Sequence, residues 1–172
     1  RAARDGWAVV EDAGRGWRRV VASPIPQQII ELDVVQTLLD NGICAITVGG
    51  GGIPVPEDEH GNYFGAAAVI DKDYASSLLA RSIKADLFLI STAVEKVYIN
   101  YNKPDQKALD VITASEAKRY MAEGHFAKGS MYPKIQAILW YLEAGGKEAL
   151  ITDPEHIMDA LAGQTGTRII PD

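Results

Sequence analysis

Two lysine-bearing clusters and one glycine run supply the residue types that phosphoryl chemistry uses. Asp71-Lys72-Asp73 follows an apolar stretch and opens a helical pattern. Phosphoryl transfer asks a protein mainly for positioning and positive charge, with little covalent chemistry. Lys72 could neutralise a transferring phosphoryl group while Asp73 holds the lysine in place. The plainer reading is a capping aspartate, Asp73, beside a solvated charge pair. Lys134, near the start of another helical pattern, is a second candidate cation, reinforced by the helix dipole. An exposed lysine is its plainer reading, although a first turn mildly disfavours positive charge. Gly49, Gly50, Gly51 and Gly52 follow the apolar run 43–48. They offer backbone free to take positive φ and to let an anion approach its N–H groups, or else a slack turn after a buried strand.

Familiar phosphate motifs do not fit. A P-loop needs a lysine and a hydroxyl residue directly after its last glycine, whereas Gly52 is followed by Ile53-Pro54. The dinucleotide fingerprint needs a glycine where Pro54 stands. His60, His125 and His156 have no metal-ligand spacing, and no metal site is expected. His60 and His156 read as surface residues and His125 as structural. No Ser-His-Asp or Cys-His arrangement can be placed. Among the methionines, Met131 is the one positioned to touch a base.

The elements that must hold these groups alternate strand and helix. Short strands are expected around residues 7–10 and 19–21, about a turn at Asp12-Ala13-Gly14. Helical spacing runs over 29–40, with Gly42 as its stop. Residues 43–48 read as a central, fully buried strand. Further helices are expected over 74–83, from the capping box at Thr113-Ala114-Ser115-Glu116, from Pro133, and from Asp153-Pro154. Strands fall at 86–90, 97–99, 149–151 and 167–170. The expected fold is α/β, a three-layer αβα sandwich whose mainly parallel sheet is covered on both faces. Ligands then gather at carboxyl ends of strands, which brings forward the glycine run, Asp71-Lys72-Asp73 and Thr92. The loop Gly129-Ser130-Met131 before Lys134 is a fourth candidate.

At 172 residues the chain suits a single domain with a real core, and a net charge of −6 argues against nucleic-acid or polybasic membrane partners. No apolar stretch reaches the roughly 20 residues that span a bilayer. Cys44 is the one cysteine and sits in the apolar run, so a buried thiol and a reducing, cytoplasmic compartment are expected. The sequence opens without methionine, as the middle of a longer protein would.

Several stretches taken together resemble carbamate kinase, of the amino-acid kinase superfamily. They are Gly14-Arg15-Gly16-Trp17-Arg18-Arg19-Val20-Val21-Ala22-Ser23-Pro24, Gly49-Gly50-Gly51-Gly52-Ile53-Pro54-Val55, Val69-Ile70-Asp71-Lys72-Asp73, Asn102-Lys103-Pro104-Asp105-Gln106 and Gly124-His125-Phe126-Ala127-Lys128-Gly129-Ser130-Met131-Tyr132-Pro133-Lys134. The resemblance implies reversible phosphoryl transfer between ATP and carbamate, giving ADP and carbamoyl phosphate, with Mg²⁺ and in a homodimer. It implies that Lys72 and Lys134 contact the transferring phosphoryl group, that Asp73 orients them, and that Gly49, Gly50, Gly51 and Gly52 line the carbamate site. It sets Asp71, Thr92, Val94, Tyr98, Lys103, Gly129, Ser130 and Met131 on the nucleotide side. Two departures stand out. The family is about twice this length, so residues 1–172 are expected to be its C-terminal, nucleotide-binding part, inactive alone. Ala93 stands where the wider superfamily often has aspartate. A sister kinase acting on acetylglutamate or UMP, or a non-catalytic nucleotide-binding module, are the competing readings.

Overall fold

A computed structural model describes residues 2–11 and 16–172. The turn expected at Asp12-Ala13-Gly14 lies outside the described residues. A short helix α1 (Ala2–Asp5) leads into an antiparallel pair, β1 (Val9–Glu11) and β2 (Trp17–Arg19). Arg19 lies 4.6 Å over the ring of Trp7, while Trp17 is exposed. Helix α2 (Leu32–Asp40) starts three residues later than its apolar spacing suggested and buries only Val35. Gly42 then takes φ +73°, as a helix stop requires.

The stretch after α2 departs most from the sequence reading. Residues 43–48 form no strand: they have no regular structure, with Ile46 fully exposed and Ile43 half-exposed. Cys44 is exposed rather than buried. A continuous apolar run becomes a central strand only where neighbours complete its ladder, and none of the described residues pairs with it. Residues 66–70 likewise form no strand, and they meet residue 22 through the isolated bridge Ala22–Ala68 and the bond from Val69 N to Ala22 O at 2.9 Å.

From residue 71 onward the α/β pattern is regular. Helix α3 (Lys72–Ser82) precedes β3 (Phe88–Ser91), and β4 (Val97–Ile99) pairs antiparallel with β5 (Lys107–Leu109). Strand β6 (Val111–Thr113) runs straight into α4 (Ala114–Ala122) through a complete capping box between Thr113 and Glu116. Then come α5 (Met131–Glu143), β7 (Ala149–Thr152), a single 3₁₀ turn at Pro154–His156, α6 (Ile157–Leu161) and β8 (Thr167–Ile170). The sequence reading missed β5 and β6, which are three residues long and lack a readable period.

The four-stranded sheet has the order β3-β7-β8-β6. Two of its pairings, β3–β7 and β6–β8, are parallel, and β7–β8 is antiparallel. Every residue of β7 is buried, so both faces are covered. Ala149 and Ile151 join the core formed with Ile135, Ile138 and Leu142 of α5, at about 1.5–3 kcal/mol for each large side chain fully buried. Leu150 points to the other face, where a Cβ on Gly166 would touch both Leu150 and Ala160 of α6. These are the layers of an αβα sandwich. Among the described residues no helix is long and apolar enough to cross a membrane.

Candidate active site

The corner at the start of α3 is built by a cap. Asp71, in extended conformation, accepts from the N–H groups of Asp73 (2.8 Å) and Tyr74 (3.4 Å). The cap is therefore Asp71, not Asp73 as the sequence suggested, and that shift frees the Asp73 carboxylate. Only 7% of Asp73 is exposed. It accepts from Lys72 Nζ at 3.2 Å on both oxygens and from Lys134 Nζ at 3.0 Å on Oδ2. The two lysines differ: the Lys134 side chain is 11% exposed and that of Lys72 58%. Each ammonium carries three donors, so both keep N–H groups for another anion. Burial, then the charges of Asp71, Tyr132 and Asp73, push the neighbouring Tyr74 phenol above its ordinary range.

Lys72 is the first residue of α3, and Lys134 lies in the first turn of α5, whose N-cap Ser130 makes no side-chain cap bond. Two helix N-termini thus converge with two ammonium groups, an arrangement suited to phosphate. The helices pack together, and Ser77 of α3 donates to the carbonyl of Ala137 in α5 at 2.6 Å, fixing their relative height.

The glycine run reaches this corner through Gly51. It is buried, takes φ +129°, and a Cβ there would lie 2.2 Å from the carbonyl oxygen of Ile70, the residue before Asp71. Only glycine allows that approach. A Cβ on Gly49, Gly50 or Gly52 would meet nothing, so these three present open backbone. Val48, just before them, has φ +52°, an outlying conformation for a β-branched residue.

Beside Lys134 opens a cleft of about 610 Å³. Thr92, Val94, Tyr98, Lys103, Ser130 and Met131 line it, and so does Lys134 itself, which joins the cleft to the paired charges at Asp73. Gly129 stays in the turn ahead of α5 without lining the cleft, and the Asp71 carboxylate is engaged as a cap. Sequence reasoning missed Asn100, Tyr101, Glu123, His125 and Phe126 in this lining. Their signals were the polar, turn-rich composition of residues 100–106 and, for His125 and Phe126, the stretch 124–134 that carries the family resemblance. Asn100 and Asn102 both take positive φ in the β4–β5 connection, as asparagine tolerates better than most residues. Tyr98 and Tyr101 stack obliquely with ring centres 5.8 Å apart.

The segment that follows β3 is tied down by three bonds. Thr92 N donates to Thr152 O at 2.8 Å, Glu95 accepts from Thr165, and Lys96 donates to Asp110 at 2.6 Å. The site thus has a cationic end at two helix N-termini and an elongated, partly aromatic end, the outline of a nucleoside phosphate.

Comparison with known proteins supplies the context. The model of the amino acid kinase family matches residues 8–153. The carbamate kinase-like protein YahI of Escherichia coli is 54% identical over 98% of this chain and 53% of its own length. The carbamate kinase of Thermococcus kodakarensis is 50% identical over 96% of this chain and 52% of its own. The structure of carbamate kinase from Giardia lamblia bound to AMP-PNP superposes with a TM-score of 0.90 at 47% identity, covering 99% of this chain and 54% of that one. The chain spans about half the length of the curated relatives it matches.

Proposed function

This chain belongs to the amino acid kinase family, and on that premise we propose that it is the C-terminal, nucleotide-binding part of a carbamate kinase, forming one domain within a longer protein. The reaction is reversible phosphoryl transfer between ATP and carbamate, run toward ATP during arginine breakdown in the cytoplasm of the cell, by a homodimer. The observation that carries the reading is the bridge Lys72–Asp73–Lys134, whose Lys134 also lines the neighbouring cleft. The identity of about 50% to curated carbamate kinases supports the choice of substrate over acetylglutamate or UMP.

In this reading Lys72 and Lys134 share the negative charge on the equatorial oxygens of the phosphoryl group in flight. Asp73 keeps both ammonium groups in register, so that little reorganisation is needed as charge develops. Gly49, Gly50, Gly51 and Gly52 give a small acceptor room to approach main-chain N–H groups. Thr92, Val94, Tyr98, Lys103, Ser130 and Met131 hold the nucleotide, with Asp71 and Gly129 setting the turns that bear on it. The carboxylates of the corner are already engaged, by the α3 cap and by two lysines. That donor set suits a Mg²⁺ carried on the nucleotide phosphates, where it supplies further charge neutralisation.

The portion of the relatives beyond this chain supplies the rest of the phosphoryl clamp, so residues 1–172 alone are inactive. The deciding measurement is ATP formation from ADP and carbamoyl phosphate by the complete protein, with acetylglutamate and UMP as rival acceptors in the opposite direction. Lys72→Ala is expected to abolish turnover while ADP still binds. Unchanged turnover removes the role given to Lys72, and preference for another acceptor removes carbamate.

A further inference from the structure

We propose that His125 is a positioning residue that latches together the two walls of the cleft and so sets affinity for a nucleoside phosphate, a role that rests on the nucleotide reading above. One wall is the β4–β5 connection, which turns at Asn100. Its side chain donates to Asp105 at 2.6 Å and its carbonyl accepts from Lys103 N at 3.0 Å, so Asn100 organises the whole turn. The other wall is the segment between α4 and α5. His125 begins it: Gly124 takes φ +79°, and His125 N closes back on Tyr120 O at 3.1 Å.

The imidazole spans the two. Asn100 N donates to Nδ1 at 3.4 Å, and Nε2 lies 3.1 Å from Glu123 Oε2. An accepting Nδ1 requires the proton on Nε2, which then donates to the Glu123 carboxylate, so the two bonds select one tautomer of the neutral ring. The ring is held edge-on against Tyr120, with centres 5.7 Å apart, and its side chain is only 18% exposed. The bond to Asn100 is long for its type, at the upper end of what an N–H donor makes. Among the described residues the Asn100 N–H has no other acceptor, so the ring sets how the turn stands over the cleft.

Two replacements separate the acceptor role from mere bulk. His125→Asn puts an amide oxygen near the Nδ1 position and keeps an acceptor for Asn100, whereas His125→Gln moves that oxygen toward Glu123. AMP-PNP binding to the complete protein, measured by calorimetry, should be roughly three- to tenfold weaker for His125→Gln than for His125→Asn, the worth of one ordinary hydrogen bond. Equal affinities, or the reverse order, overturn the latch. Should either variant fail to fold, amide exchange in the unaltered protein decides: slow exchange at Asn100, slower still with AMP-PNP, supports the latch, and free exchange overturns it. An unaltered protein that binds no AMP-PNP overturns the nucleotide reading itself, an outcome distinct from binding that is indifferent to residue 125.

Discussion

Lys134 Nζ donates to Asp73 Oδ2 at 3.0 Å across 61 residues of sequence, between two groups that are each almost wholly buried. Lys72 shares the same carboxylate from the next position in the chain, but from the solvent side. One acid thus ties a buried cation to an exposed one. The two lysines should therefore part company when each is removed.

Lys134→Ala leaves Asp73 in a buried setting with only an exposed partner, and Asp73→Ala leaves Lys134 buried without one. Breaking a buried pair from one side typically costs about 3–5 kcal/mol. Lys72→Ala removes a half-exposed partner and should cost under about 1 kcal/mol. Urea unfolding of the three variants checks the order. All three should lose phosphoryl transfer, but only Lys72→Ala should do so with stability nearly intact. Equal destabilisation by Lys72→Ala and Lys134→Ala contradicts this asymmetry.

The glycine run separates in the same manner. Gly51→Ala places a Cβ 2.2 Å from a main-chain oxygen at φ +129°, so something in the backbone must shift. A cost of about 1–3 kcal/mol is expected, as for other strained backbone positions. Gly50 has open space around it and no positive φ, so Gly50→Ala should leave the melting temperature nearly unchanged. Loss of turnover in Gly50→Ala then reports substrate space rather than folding. A Gly50→Ala protein as unstable as Gly51→Ala refutes the distinction.

How far the sequence could be read depends on whether a signal is local. The capping box at Thr113 and Glu116 was legible because both partners lie within one turn. Asp71-Lys72-Asp73 marked a helix start, but two aspartates two residues apart can each cap, and only main-chain geometry chose Asp71. Residues 43–48 carried a strand's composition without its neighbours, and burial is decided by neighbours, so the strand and the buried thiol were both misread. Lys107-Ala108-Leu109 and Val111-Ile112-Thr113 are too short for periodicity and become strands through Val97, Ile99, Arg168 and Ile170. Lys134 could be nominated from its helix start. That it meets Asp73, and that His125 faces Asn100, are tertiary facts with no signature in either segment.

The pair His156–Asp153 gives the fold a pH signature at the carboxyl end of β7. His156 Nδ1 lies 2.7 Å from Asp153 Oδ1, and that hydrogen bond holds the imidazole above its ordinary value of 6.5. Burial alone would raise Asp153, but hydrogen bonds from the His156 ring and backbone outweigh it and set the carboxyl below 3.8. A raised folded-state value means that the imidazole's contribution is complete below about 6.5 and is lost as pH rises through the raised value. The depressed carboxyl contributes fully above 3.8 and loses its share as pH falls through its lowered value. The melting-temperature gap between wild type and His156→Gln should therefore be widest between pH 4 and 6.5 and shrink on the alkaline side. A gap that is constant from pH 5 to pH 9 rules out the pair as its source.

Thr152 and Thr167 offer a matched test of what a buried hydroxyl is worth. Both are fully buried on adjacent strands of the sheet. Thr167 Oγ1 accepts from Val97 N at 2.8 Å and donates to the carbonyl of Leu109, so it ties β4 and β5 to β8. Thr152 Oγ1 has no hydrogen-bond partner among the described residues. Valine keeps the shape of threonine while removing the hydroxyl. At 167 the exchange strands a buried N–H and should cost about 1–3 kcal/mol. At 152 it removes an unpaired polar atom whose desolvation the fold already bears, so stability should hold or rise. Denaturant midpoints of the two valine variants decide the matter, since a Thr152→Val protein as weakened as Thr167→Val would mean that Thr152 has a partner, most simply a buried water.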